Sequence, residues 1–154
     1  MGDALRNFQF TVDFTNNDFN SDRHFQSVEG LHAQITKNIS KKAWLSEFDV
    51  LILKRAYRPD SNIVAWCMNA INNKILTPEN LSINLLNSRF EVVSQWQVVK
   101  AIPVGWSLSP LNAEEGQILI ETITLKYSYF QVVNSKGKIV SPKKKPFIKK
   151  RVKD

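Results

Sequence analysis

The sequence predicts a mainly β fold: a β-barrel or β-sandwich of about six or seven strands with one flanking α-helix. Three observations predict it. Apolar and polar residues alternate at period two in several separate runs, the first at Phe8, Phe10, Val12 and Phe14 and the longest between residues 117 and 133. Only one stretch, beginning at Ile63, repeats at three and four. The chain has 154 residues, 43% hydrophobic and 23% charged, which suits one domain with one buried core.

Each element has its own justification along the chain. Phe8, Phe10, Val12 and Phe14 alternate with Gln9, Thr11 and Asp13, as in a strand with one wet face. Residues 15–23 are rich in Asn and Asp and predict a loop. Residues 28–31 lead into a second alternating run, Leu31, Ala33, Ile35 and Ile39, with a bend or bulge at Gly30. Residues 38–45 are polar and basic apart from Trp44 and read as a loop. Residues 48–53 are apolar enough for a strand buried on both faces.

Pro59-Asp60-Ser61 then offers a helix N-cap. Ile63, Val64, Cys67, Met68, Ala70, Ile71 and Ile75 give an amphipathic helix that ends near Asn73. Residues 77–80 predict a turn. Residues 81–86 and 90–99 predict a hairpin linked by Asn87-Ser88-Arg89. Pro103 and Gly105 mark a bend, and residues 107–116 a loop. Residues 117–133 read as one long strand. Leu119, Glu121, Ile123, Leu125, Tyr127 and Tyr129 share one face, and Ile118, Ile120, Thr122, Thr124 and Lys126 the other.

Charge divides the chain. Nine of its 21 basic residues lie in residues 135–154, where the only acid is Asp154. The sequence therefore predicts a nearly neutral domain over residues 1–134 and a flexible basic arm over residues 135–154. Lys143, Lys144, Lys145, Lys149, Lys150 and Arg151 form the arm's cluster, and Pro142 and Pro146 oppose regular structure. Two readings of the arm stand side by side. It is a solvated terminus, or it contacts phosphates or an acidic partner, as in a nucleic-acid-binding module.

Several chemistries find no support. The first twenty residues carry Asp3, Asp13 and Asp18 and no apolar core segment, so no secretory signal is expected. No apolar run reaches the roughly 18 residues of a membrane span, so no membrane insertion is expected. A single cysteine, Cys67, falls on the helix's apolar stripe and reads as a core residue of a chain folded in a reducing cytoplasm. His24 and His32 lack partners at metal-ligand spacing. Glu114 and Glu115 are adjacent, so they point apart on an extended chain and make a poor acid–base couple. The five glycines form no phosphate loop. No catalytic, cofactor or metal site is expected, and the chain reads as a non-enzyme. Trp66, Trp96 and Trp106, with Trp44, read as core or subunit-interface residues rather than base-stacking platforms.

Residues 96–106, W-Q-V-V-K-A-I-P-V-G-W, resemble the W-x-x-x-x-A-x-P-x-x-W stretch of the T4-like phage tail tube family. Residues 107–125, with Glu121-Thr122 embedded, are similar to the family's next loop and long strand. Upstream, residues 8–14, Ser27-Val28-Glu29-Gly30-Leu31 and Leu51-Ile52-Leu53-Lys54-Arg55 resemble the family's opening strand, turn and I-x-L-K-R strand, in family order.

The resemblance implies a structural protomer that forms homohexameric rings. These stack into the inner tube of a contractile phage tail or phage-tail-like injection system, assembled in the bacterial cytoplasm and extracellular on release. It implies sheath, baseplate and spike proteins as partners, and effector or genome cargo in the lumen. A tube-initiator ring joining tube to baseplate and spike is the alternative within the family. Exposure and loop position nominate Lys41, Lys42 and Trp44 in residues 36–47, with Glu114 and Glu115, as contacts between subunits or rings.

Overall fold

The structure is a computed structural model describing residues 9–20 and 24–141. Phe8 and the arm residues Lys143, Lys144, Lys145, Lys149, Lys150 and Arg151 lie outside the described residues. The elements are β1 (Gln9–Phe14), a single 3₁₀ turn (Asn17–Phe19), β2 (Ser27–Glu29), β3 (Ala33–Asn38), β4 (Ala43–Phe48), β5 (Leu51–Ala56), α1 (Asn62–Asn73), β6 (Glu79–Leu86), β7 (Val92–Leu108), β8 (Ile120–Lys126) and β9 (Tyr129–Val133).

Seven strands form one antiparallel path, β1-β6-β7-β8-β5-β2, with β9 also paired to β7. The first half of β7 pairs with β6 and β9, and its second half with β8. This strand passes from one layer to the other. Lys100 takes a left-handed φ of 58°, and the register slips between Pro103 and Gly105. Pro103 has no amide hydrogen for the ladder, and a bulge turns the strand there. The path ends at β1 and β2, which do not pair with each other, so the fold is sandwich-like and not a closed barrel.

Alternation builds the core between the layers. Val12, Phe14, Leu81, Ile83 and Val98 come from one, and Leu51, Leu53, Ile123 and Leu125 from the other. The helix packs on β7 and adds Ile63, Trp66, Cys67 and Ala70. Its N-cap is Ser61, whose hydroxyl accepts from the amides of Ile63 and Val64. Phe14, Phe19 and Trp66 meet ring to ring below it, at 5.1 to 5.7 Å.

Element boundaries differ from the sequence expectation at several places, β6 among them, which starts at Glu79 inside the turn expected over residues 77–80. The loop expected over residues 38–45 is cut short by strand β4 (Ala43–Phe48), and the strand expected over residues 48–53 starts at Leu51. The strand expected over residues 90–99 starts at Val92 and runs through the Pro103 bend to Leu108. The long strand expected over residues 117–133 is two strands on one edge of β7, broken at Tyr127 and Ser128, with Ile118 in the preceding loop.

Candidate assembly interface

Among the described residues the hairpin β3–β4 stands apart from the sandwich, its two strands pairing with each other alone. Its six-residue strands put the tip about 20 Å from the base, at ~3.3 Å per residue. Register places Ala33, Ile35 and Lys37 opposite Phe48, Ser46 and Trp44 on one face, and Gln34, Thr36 and Asn38 opposite Glu47, Leu45 and Ala43 on the other. Neither face is covered. Ile35, Trp44 and Leu45 are exposed, and Ile39 at the tip is 85% exposed. A lone two-stranded sheet without a covered apolar face is marginal in water.

Local contacts shape it. The Asn38 side chain accepts from the Ser40 hydroxyl at 2.9 Å and from the Lys41 amide at 3.1 Å, which closes the tip. Lys42 completes the turn at φ 52°. The Lys37 ammonium lies over the Trp44 ring, 5.8 Å from its centre. At the base, Phe48 packs edge-on to Phe130 at 5.1 Å and lies beside Tyr127. His32 Nδ1 faces Asp49 Oδ2 at 3.2 Å. Gly30, at φ 101°, allows the crossing: a Cβ there would sit 2.0 Å from the Val50 carbonyl oxygen.

Glu114 and Glu115 lie in the exposed loop 109–119 between β7 and β8. Asn112 orders it, its side chain accepting from the Glu114 amide and its carbonyl from the Glu115 amide. Ser109 closes the loop through paired bonds with Ile120. Leu111 and Ile118 are exposed on it, and they help line a cleft of about 530 Å³.

The nominated residues therefore fall into two groups. Lys41, Lys42 and Trp44 share the hairpin, and Glu114 and Glu115 share the loop. The register of β5 against β8 separates the groups. The hairpin leaves the sheet where Leu51 pairs with Leu125, and the loop where Ala56 pairs with Ile120. They stand at opposite ends, about 17 Å apart along the sheet at ~3.3 Å per residue before either projection is added.

One cluster was missed by residue-by-residue reasoning. Arg55 and Glu121 are paired and buried on facing strands. Arg55 Nη2 donates to Ser61 Oγ at 2.7 Å, and Trp106 Nε1 donates to Glu121 Oε2. The Phe25 ring lies 5.2 Å from the guanidinium. Arg55, Trp106 and Glu121 each belong to a quoted stretch of the tail tube resemblance, and that coincidence was the available signal. Cys67 beside this cluster is fully buried, and its thiol is pushed up to about 12, first by burial and then by Glu121, with Arg55 opposing. Among the described residues, no group of three or more His, Cys, Asp or Glu could hold a metal ion, and no helix is long and apolar enough to cross a membrane.

The profile of the family described as T4-like virus tail tube protein gp19 matches residues 6–131. The chain belongs to that family. It is a structural tube component. Comparison with curated protein sequences finds no match. Solved structures share the tube fold at low identity. A chain of the anti-feeding prophage baseplate, solved by cryo-EM, is 23% identical with a TM-score of 0.65, over 88% of this chain and 99% of that one. A chain of the sheath–tube complex of an extracellular contractile injection system (PVC), in its extended state, is 18% identical with a TM-score of 0.65, over 85% and 92%. Hcp1 from Flavobacterium johnsoniae is 9% identical with a TM-score of 0.58, over 86% and 98%.

Proposed function

We propose that this tail tube protein is the repeating protomer of an inner tube, forming hexameric rings that stack inside the sheath of a phage tail or phage-tail-like injection particle. The observation that carries this reading is the β3–β4 hairpin, uncovered on both faces and bearing Ile35, Ile39, Trp44 and Leu45 in the open. A chain that worked alone would gain little from such an element. A ring or stack of copies covers it. Among the described residues β1 and β2 end the strand path, and this supports the same reading, because closing a ring of subunits protects such edges. The work of a stiff conduit is mechanical, so no step of it calls for a catalytic group.

On this reading the partners are other copies of the chain, the sheath protein, baseplate and spike proteins, and cargo within the lumen. Assembly takes place in the bacterial cytoplasm. Light scattering on the purified chain tests the reading. The expected particle has six times the 17.7 kDa protomer mass, or multiples of that. Growth beyond one ring marks the main tube subunit. A species that stops at one ring marks the initiator at the baseplate, and a species of one protomer at every concentration opposes both.

A further inference from the structure

We infer that the basic C-terminal segment, residues 142–154, seats across loop 109–119 of an adjacent copy, with Phe147 and Ile148 in the loop's cleft and the flanking lysines facing Glu114 and Glu115. The inference rests on the tube reading, which supplies the adjacent copies, and it names a further contact between them.

The receiving surface is already built in one copy. Leu111 and Ile118, both exposed, help line the cleft of about 530 Å³. Pockets that take small ligands run to roughly 300–1,000 Å³, so this one has room for two large side chains. Asn112 orders the loop: its side-chain oxygen accepts from the Glu114 amide at 3.1 Å, and its carbonyl accepts from the Glu115 amide at 3.3 Å. Among the described residues, neither Glu114 nor Glu115 has an ion-pair partner. The loop carries no base.

The segment matches that surface in chemistry and in order. It sets Phe147-Ile148 between Lys143-Lys144-Lys145 and Lys149-Lys150-Arg151. The loop sets Glu114-Glu115 between Leu111 and Ile118. An apolar pair flanked by cations therefore meets an acidic pair flanked by apolar groups. Phosphates would engage the cations alone and leave Phe147 and Ile148 in water. The loop takes both kinds of group. One exposed ion pair contributes little, and here several act beside a buried apolar contact.

Chain length directs the segment to another copy. Ile139 bridges to Val133 and the Val140 amide donates to the Val132 carbonyl, which brings Ser141 level with Gln131 and so with Gln97 of β7. The last described residues run in the direction of β7. From Gln97 to Leu108, where the loop begins, is about 36 Å of strand at ~3.3 Å per residue. From Ser141, Phe147 reaches about 20 Å when fully extended. By this path it stops short of the cleft in its own copy, which leaves the cleft of a neighbour.

The test uses the full chain with Phe147→p-benzoylphenylalanine. Assemblies are made from an equal mixture of isotopically heavy and light copies, irradiated, and read by mass spectrometry. Crosslinks from position 147 to residues 109–119 are expected, about half of them joining a heavy copy to a light one, as random mixing between copies requires. Adding Glu114→Lys with Glu115→Lys, at two exposed positions and with folding checked by circular dichroism, is expected to lower their yield about tenfold. Crosslinks confined to single copies, crosslinks to other surfaces, an unchanged yield in the charge-reversed form, or capture of an added DNA duplex in place of the loop would each overturn the inference. Six-fold rings seen by electron microscopy in the same samples would leave the tube reading intact. Absence of rings in the wild-type chain would overturn the tube reading and the inference with it.

Discussion

Arg55 Nε donates to Glu121 Oε1 across 2.8 Å, with the side chains 1% and 0% exposed. The pair is held in register by β5 and β8, and it reaches α1 through Ser61 and β7 through Trp106. It thereby joins the helix cap to β5, β8 and the second half of β7. Removing one member of such a pair strands a buried charge. Glu121→Leu is expected to cost about 3–5 kcal/mol in urea unfolding. Replacing both, as Arg55→Met with Glu121→Leu, is expected to recover most of that loss, short of the part owed to the Ser61 and Trp106 bonds. A double variant no more stable than the single one would show that the pair is not the source of the cost.

Gly30 sets the hairpin base. A Cβ at φ 101° would be strained, and it would collide with the Val50 carbonyl. Gly30→Ala is expected to destabilise the fold by more than about 1 kcal/mol. Hydrogen exchange should show the loss first at the Asp49 amide, which donates to the His32 carbonyl. Unchanged stability would contradict the close approach.

Cys67 should report on alkaline stability. Its thiol is raised from an ordinary 9.0 to about 12, chiefly by burial. Between those values the folded chain keeps a proton that the unfolded chain releases. The stability from this group is therefore complete below about pH 9 and falls as pH rises toward 12, with a slope of at most about 1.4 kcal/mol per pH unit. The Tyr127 hydroxyl, raised by burial and then by Asp49, acts in the same sense above its ordinary 10.0. Cys67→Ala is expected to flatten the alkaline limb of a stability–pH curve. The native thiol is expected to resist maleimide at pH 8 until the chain is unfolded.

Trp44 is 63% exposed and carries the Lys37 ammonium over its ring. Trp44→Ala is expected to leave unfolding stability within about 0.5 kcal/mol of wild type while shifting sedimentation toward smaller assemblies. Assembly identical to wild type would remove Trp44 from the interface.

Much of the sandwich was legible because its strands have one wet face. In β8, Ile123 and Leu125 alternate with more exposed residues, and the helix showed itself through Ser61 and its apolar stripe, whereas residues 48–53, expected to be buried on both faces, give a β5 in which Leu51 and Leu53 alternate with more exposed residues. Strand β4 was not legible for the same reason in reverse. Trp44, Leu45 and Glu47 are all exposed, so the covered face that writes a period-two pattern is missing within one copy. The break at Tyr127 and Ser128 was hidden because β8 and β9 continue along one edge of β7. The nominated residues were chosen by exposure and loop position. Neither gives direction, and the opposite placement of Lys41 and Glu114 came from strand register.

The most direct test of the tube reading is negative-stain electron microscopy of the purified full-length chain, with class averages taken of end views. Rings of six-fold symmetry are expected, with side views showing rings in regular stacks. Isolated particles of a single protomer, persisting at high concentration and in the presence of a preformed ring as template, would contradict it.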